Sequence, residues 1–285
     1  MEKIPNKFSI IKNNQMAAKI IRKLRWQGQI ACPGCGCVNH ISPHSVFKNG
    51  IKRYFCQNCM KTFTDLTRTI FEKTKVPLWK WIHGMIILLE STGSLSAAEL
   101  SRNIEVSYPT ALKMMRKIRK TLENDRFEGQ LKGICESDEA WISHKKNQQI
   151  LLGTVERNGR LKLFPIIDRS DTSLYFPHKK YVEKGSMVCT DSLSTYNNLN
   201  HRYIHHTVNH SAKQFAWRHV HTNTIEGVWS MLKGVIRTIH HGVWKRYLQG
   251  YLDLFSFMYS NRFLSVSEKL DLLISKSCQP RYCLY

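Results

Sequence analysis

Apolar and polar positions divide the chain into three stretches. Over Gln15–Trp26 (QMAAKIIRKLRW) apolar residues recur at helical spacing among lysines and arginines, which predicts a short basic helix. Cysteine pairs with β-type residues between them follow, to about residue 64. From about 65 to 127 the pattern reads as helical, with LWKWIHGMIILLE its most apolar run. From about 131 to 265 strands and helices alternate. KGICESDEAWIS and ILLGTVER read as strands, and GRLKLFPIIDRS completes an antiparallel meander around a turn at Asn158-Gly159. SMVCTDSLSTYNNL reads as a buried strand that breaks into a helix at Asp191, and YIHHTVNH as a short strand. TNTIEGVWSMLKGVIR and WKRYLQGYLDLFSFMYSNRF read as helices, the second with a stripe of Tyr247, Leu248, Tyr251, Leu252 and Phe255. There is no internal repeat. The fold class is α/β (α+β), with divisions at 16–64, 65–127 and 130–265 and a C-terminal tail over 266–285.

Charge narrows the partners. Forty-three Lys and Arg against 21 Asp and Glu give a formal net charge of +22 across 285 residues. A field of that sign favours a polyanion, since neutralising phosphates releases condensed counterions. The competing reading is diffuse basicity without a specific site. The N-terminus lacks an apolar stretch of signal-peptide length, and LWKWIHGMIILLE is too short and too interrupted to span a bilayer. These features predict an intracellular protein with no membrane partner, in the nucleus of a eukaryote or the cytoplasm and nucleoid of a bacterium.

Four of the nine cysteines form two CxxC pairs, Cys32–Cys35 and Cys56–Cys59. Each pair turns two thiolates toward one point, and two such knuckles over a hairpin make the four-sulfur tetrahedron that Zn2+ prefers. The spacing predicts a zinc ribbon over 16–64, against a redox or chance reading; Cys37 stays outside the set. Cys135, Cys189, Cys278 and Cys283 are scattered. A zinc saturated by four cysteines has no open position, so this part binds rather than catalyses.

LSAAELSRNIEVSYPTALKMMRKIRK fits a helix-turn-helix within 65–127: a helix opened by Ser96, a turn through Ile104-Glu105-Val106, and a second helix with Pro109 in its first turn. That helix sets Ala111, Met115, Ile118 and Leu122 against Lys113, Arg116, Lys117 and Lys120, the face a DNA-binding helix needs. A helical linker with a solvated basic side has the same pattern.

Acids are scarce, so those inside apolar strands stand out. Asp138 and Asp191 each end a buried run, and a desolvated carboxylate there calls for a cation. Two such strands plus a helical glutamate bracket a pair of hard divalent ions, Mg2+ or Mn2+, as phosphoryl transfer requires. The competing reading is strand-end surface acids, with Asp191 capping the following helix. Glu226 is evenly divided between that third ligand and a capping box with Asn223 as N-cap.

These residues, in this order, resemble the DDE transposases of the Merlin superfamily and related bacterial insertion-sequence transposases. The resemblance runs from about Ile30 to Arg262. It is carried by CPGCG, YFCQNCMKTFTDLTRTIFEKTKVPL, LSAAELSRNIEVSYPTA, CESDEAWISHKK, VCTDSLSTY, HTVNHS and, most specifically, HTNTIEGVWSMLKG. It implies an RNase H-like catalytic domain, a mixed sheet flanked by helices, that cuts and joins double-stranded DNA with bound magnesium. The triad falls on Asp138, Asp191 and Glu226. Some bacterial relatives use an asparagine as third residue, here Asn223, and Lys233 matches a lysine implied to contact phosphate near the scissile bond. The ribbon and helix-turn-helix are implied to recognise terminal inverted repeats, with a homo-oligomer assembled on that DNA and on target DNA. Leu254 and Met258 stand where the family pattern has a glutamate and an arginine; Arg262 is retained. The expected function is a transposase, with an inactive DNA-binding derivative and a nuclease without strand joining as alternatives.

Overall fold

The computed structural model describes residues 13–91, 95–123, 129–144, 147–208, 220–238 and 243–279. Cys283 and the Asn209–Ser211 part of HTVNHS lie outside them. The chain forms two units: Met1–Thr121 with Phe263–Tyr285, and Leu122–Arg262. Among the described residues no helix is long and apolar enough to cross a membrane.

In the first unit, α1 (Asn14–Trp26) opens at Asn13, whose side chain accepts from the Gln15 N–H, and closes at Gln27 in the left-handed conformation. A three-stranded antiparallel sheet follows: β1 (Ile41–Val46), β2 (Lys52–Cys56) and β3 (Lys61–Thr64). Asp65, fully buried, ties helix to sheet. Its carboxylate accepts from Arg22 Nε at 3.0 Å, Trp26 Nε1 and Tyr54 OH at 3.1 Å each, and the Lys52 N–H at 2.7 Å. Four donors on one buried carboxylate offset its desolvation. The helical pattern expected from residue 65 begins only at α2 (Leu78–Glu90); residues between form turns anchored on Asp65 and Thr69. Then come α3 (Ala97–Asn103), capped by Ser96, and α4 (Tyr108–Leu122).

The expected C-terminal tail is instead largely helical, as α8 (Val266–Cys278). Ser265 and Glu268 form a capping box, and Leu270, Leu273 and Ile274 are buried against the α1–α2 layer. The apolar triplet at helical spacing gives this segment a face to bury, which a tail lacks.

The second unit is a five-stranded mixed sheet in the order β6-β5-β4-β7-β8. Strands β4 (Ile134–His144), β5 (Asn147–Glu156) and β6 (Leu161–Ile166) form the antiparallel meander, turning at Asn158 with φ 57°. Strands β7 (Met187–Asp191) and β8 (Ile204–Val208) add in parallel. Alternation along β4 and β5 feeds two cores. Ala140, Ile142, Leu151 and Val155 pack with Ile225, Val228, Trp229 and Leu232 of α6 (Asn223–Thr238) and with Leu248 and Leu252 of α7 (Lys245–Ser260). On the opposite face Cys135 and Leu152 pack with Leu174 of α5 (Asp171–Tyr181) and with Tyr196 and Leu199 of a 3-10 helix over Ser194–His201. The domain is thus mixed α/β with helices on both faces, the RNase H-like arrangement. Helix α5 has no strong apolar periodicity, only Leu174 and His178 being buried, and Pro177 interrupts it, so its pattern is silent in the sequence. Leu254 and Met258 are both buried. An apolar pair is compatible with that interior position, where a buried ion pair brings little net stability.

Candidate functional site

The parallel register of β4 and β7 runs Ile134↔Met187, Cys135↔Val188, Glu136↔Cys189. Two residues further along each strand stand Asp138 and Asp191, so the two carboxylates occupy matching positions on neighbouring strands. Both alternate with residues of the α5-side core, Cys135 and Val188, and therefore face the side that α6 covers. Asp138 is largely enclosed, and burial pushes its pKa up to about 6, with the Glu139 and Asp191 charges acting the same way. The Glu139 N–H and Trp229 Nε1, which donates to Oδ2 at 3.0 Å, oppose the shift. Asp191 accepts from the Leu193 N–H at 3.1 Å and is partly open to solvent.

A third carboxylate, Glu139, points to the other face. It accepts from Arg169 at 2.8 Å and from Tyr196 OH, and Arg169 Nη2 also lies 4.0 Å from Asp191. Burial and the carboxylates Glu139, Asp138 and Asp191 push the Tyr196 pKa well above its ordinary value, so the phenol keeps its proton. Beside Asp138, Ser137 Oγ is 2.9 Å from His178 Nε2, while His178 Nδ1 is 2.6 Å from the Leu174 carbonyl. Burial lowers the His178 pKa to about 4, so the ring is neutral, donating to Leu174 and accepting from Ser137.

Helix α6 is fixed by a residue that spacing alone does not single out. Glu136, fully buried on β4, accepts from the Thr224 and Ile225 N–H groups at 2.8 and 3.2 Å and from Thr224 Oγ1 at 2.8 Å. Arg157 Nε pairs with it at 2.6 Å. A carboxylate at a helix N-terminus satisfies orphan N–H groups and complements the dipole. This corrects the Asn223–Glu226 capping box: the cap comes from a distant strand. Asn223 is exposed at the first helical position, and Glu226, also exposed, accepts from Thr222 Oγ1 at 2.9 Å. Glu226 lies one turn before Trp229, so α6 carries it on the helix that is bonded to Asp138. The structure does not draw it into a ligand set with the two aspartates. Among the described residues, the four cysteines are the only cluster of three or more metal-capable side chains within ligand reach. Lys233 is exposed two turns further along α6.

In that cluster Cys32 Sγ is 3.7 Å from Cys59 Sγ and Cys35 Sγ 3.6 Å from Cys56 Sγ, with all four ligand atoms within 4.8 Å of one another. The spacing suits a tetrahedral ion. Cys37 stays outside it; its carbonyl accepts from the Cys32 N–H at 2.8 Å and shapes the knuckle. On α4, Lys113, Arg116 and Lys120 are exposed, whereas Lys117 Nζ donates to the Ile70 carbonyl at 2.7 Å.

Residues 130–260 match the model of the ISXO2-like transposase domain. That segment is similar to the transposase domain the family describes. A curated relative, an uncharacterized protein in transposable element ISH50 of Halobacterium salinarum, is 26% identical and aligns with 85% of this chain and 90% of its own. A simian T-cell lymphotropic virus intasome structure, in complex with PP2A regulatory subunit B56 gamma, aligns at 14% identity over 66% of each chain, just under two thirds, with a TM-score of 0.29.

Proposed function

We propose that the protein is a transposase that binds the terminal inverted repeats of a mobile element, cleaves a DNA strand at each end and joins the freed ends to target DNA. The observation that carries the reading is the placement of Asp138 and Asp191 at matching positions of adjacent strands, on the face covered by α6. A half-buried aspartate whose pKa is raised by desolvation and by neighbouring acids is stabilised when a cation arrives. Hard oxygen donors suit Mg2+ or Mn2+, which when bound activate a water or 3′-hydroxyl and stabilise the leaving oxygen.

Asp138 and Asp191 would hold the metal. Glu226 would complete the set after its carboxylate turns from Thr222, and Asn223 stands beside it at the exposed start of α6. Trp229 holds Asp138 in one orientation. Lys233, on the same exposed side of α6, is positioned to neutralise a backbone phosphate. Zn2+ at Cys32, Cys35, Cys56 and Cys59 would fix the ribbon. The exposed Lys113, Arg116 and Lys120 face of α4 supports DNA contact by the first unit, and assembly on two DNA ends calls for a homo-oligomer.

The test is incubation of the purified chain with duplexes carrying its terminal repeats, with Mg2+ or with EDTA. Metal-dependent cleavage and joining, abolished by Asp138→Asn or by Asp191→Asn, is expected. Full cleavage by both variants would overturn the site. Binding without cleavage would instead support an inactive DNA-binding derivative, and cleavage without joining a nuclease.

A further inference from the structure

The sequence sets Lys113 and Lys117 on one basic stripe of α4, but the fold separates their roles. Lys117 reaches inward to the Ile70 carbonyl, and its ammonium lies 5.9 Å from the Trp81 ring. Trp81 is itself fixed, its Nε1 donating to Thr74 Oγ1 at 3.0 Å and its ring meeting Phe71 edge-on at 5.4 Å. These contacts hold the segment around Lys73, whose φ of 54° turns the chain sharply, against the first turns of α4. Between the two runs an open groove of about 450 Å³, lined by Lys73, Lys75, Lys113, Lys117, Trp81 and Thr110 among others. No acidic side chain is among its lining residues. Lys73, Lys75 and Lys113 are exposed at its rim.

We infer that this groove is a phosphodiester-binding track, in which Lys73, Lys75 and Lys113 clamp the backbone of duplex DNA without reading its sequence. The inference rests on the DNA-binding function proposed above and adds residues from outside the helix-turn-helix. The groove concentrates positive charge from two chain segments where a scattered basic surface would not, and Lys117 and Trp81 form a rigid floor. Ammonium groups on flexible stems suit phosphates as point charges rather than base edges. The segment carrying Lys73 and Lys75 thereby joins α4 in holding one DNA strand.

Binding of the full chain to its terminal-repeat duplex and to an unrelated duplex is measured across a salt series, for wild type and for a Lys73→Gln, Lys75→Gln, Lys113→Gln triple variant. All three side chains are exposed, and an unchanged melting temperature verifies the fold. The expected result is weaker binding to both duplexes by a similar factor. The slope of log K against log salt should become shallower by about 2 to 3, since each phosphate that is no longer neutralised removes roughly 0.9. Wild-type affinity and slope retained in the variant would overturn the groove while leaving DNA binding intact. So would weakening confined to the terminal-repeat duplex, which would mean base reading. Saturable uptake of inorganic phosphate at matched ionic strength, abolished in the variant with duplex binding unchanged, would identify a free-phosphate site and overturn the track. A wild-type chain that binds neither duplex would overturn the DNA-binding function itself.

Discussion

The indole Nε1 of Trp229 donates to Asp138 Oδ2 at 3.0 Å, joining the first residue of the candidate site to the helix that bears Glu226. The bond requires space on the neighbouring strand. Gly153 pairs with Asp138 across β4 and β5, and a Cβ at Gly153 would stand 2.6 Å from the Trp229 ring. Strand, glycine and indole therefore specify one another.

Gly153→Ala forces the indole out of place. Overpacking of this kind destabilises by roughly 1–3 kcal/mol, to be read as a shift of the urea midpoint. Trp229→Phe keeps most of the packing but removes the donor, with an expected loss of about 1–2 kcal/mol. An unchanged midpoint for Gly153→Ala would argue against the close approach.

Asp138 makes stability depend on pH in an unusual direction. Its folded pKa of about 6 lies above the ordinary carboxylate value, so the folded chain holds the proton more tightly than the unfolded one. The associated stability is present in full below about pH 4 and lost as pH rises through about 6. Asp138→Asn should therefore be more stable than wild type at pH 7.5, by about 1–3 kcal/mol, and nearly equal to it at pH 4. Denaturant melts at the two pH values decide this; equal destabilisation at both would contradict a carboxyl that holds its proton more tightly in the folded chain.

Divalent cations should reverse that penalty. Mg2+ or Mn2+ raises the melting temperature of wild type with increasing concentration, as linkage to a folded-state site demands. The effect should vanish in an Asp138→Asn, Asp191→Asn double variant. Calorimetry with each metal supplies the measurement independently of any DNA reaction.

The four-cysteine cluster predicts one Zn2+ per chain by elemental analysis. Cys35→Ser or Cys56→Ser should lose the metal and loosen the β1–β3 sheet. Cys37→Ser should keep it, because Cys37 contributes its carbonyl rather than its sulfur to the knuckle.

Buried Glu136 pairs with half-buried Arg157 at the start of α6. Glu136→Ala removes the acceptor for Thr224 and Ile225 and leaves Arg157 without its carboxylate, a loss of about 3–5 kcal/mol. Hydrogen exchange should show Thr224 and Ile225 losing protection first; unaltered protection there would exclude Glu136 as the helix cap.

By itself the sequence determined what is local. Two CxxC pairs with β-type residues between them predict their own convergence, because each knuckle is a four-residue turn. Alternation placed β4 and β5, the apolar stripe placed α7, and the apolar runs leading into Asp138 and Asp191 marked them as acids out of place, although β4 continues past Asp138 to His144 and only Asp191 ends its strand. Tertiary structure decided the rest, since it depends on partners far apart in the chain. Glu136 looks like one more polar residue in a strand until Thr224 and Ile225 arrive above it, and only then does the capping of α6 pass from its own residues to β4. Asp65 is a loop acid until Arg22, Trp26, Tyr54 and the Lys52 amide converge on it. Lys117 belongs to a basic stripe until Ile70 supplies a buried carbonyl. In each case periodicity assigns a side chain to a face, but which charge is buried and satisfied depends on donors and acceptors that only the packed chain brings within about 3 Å.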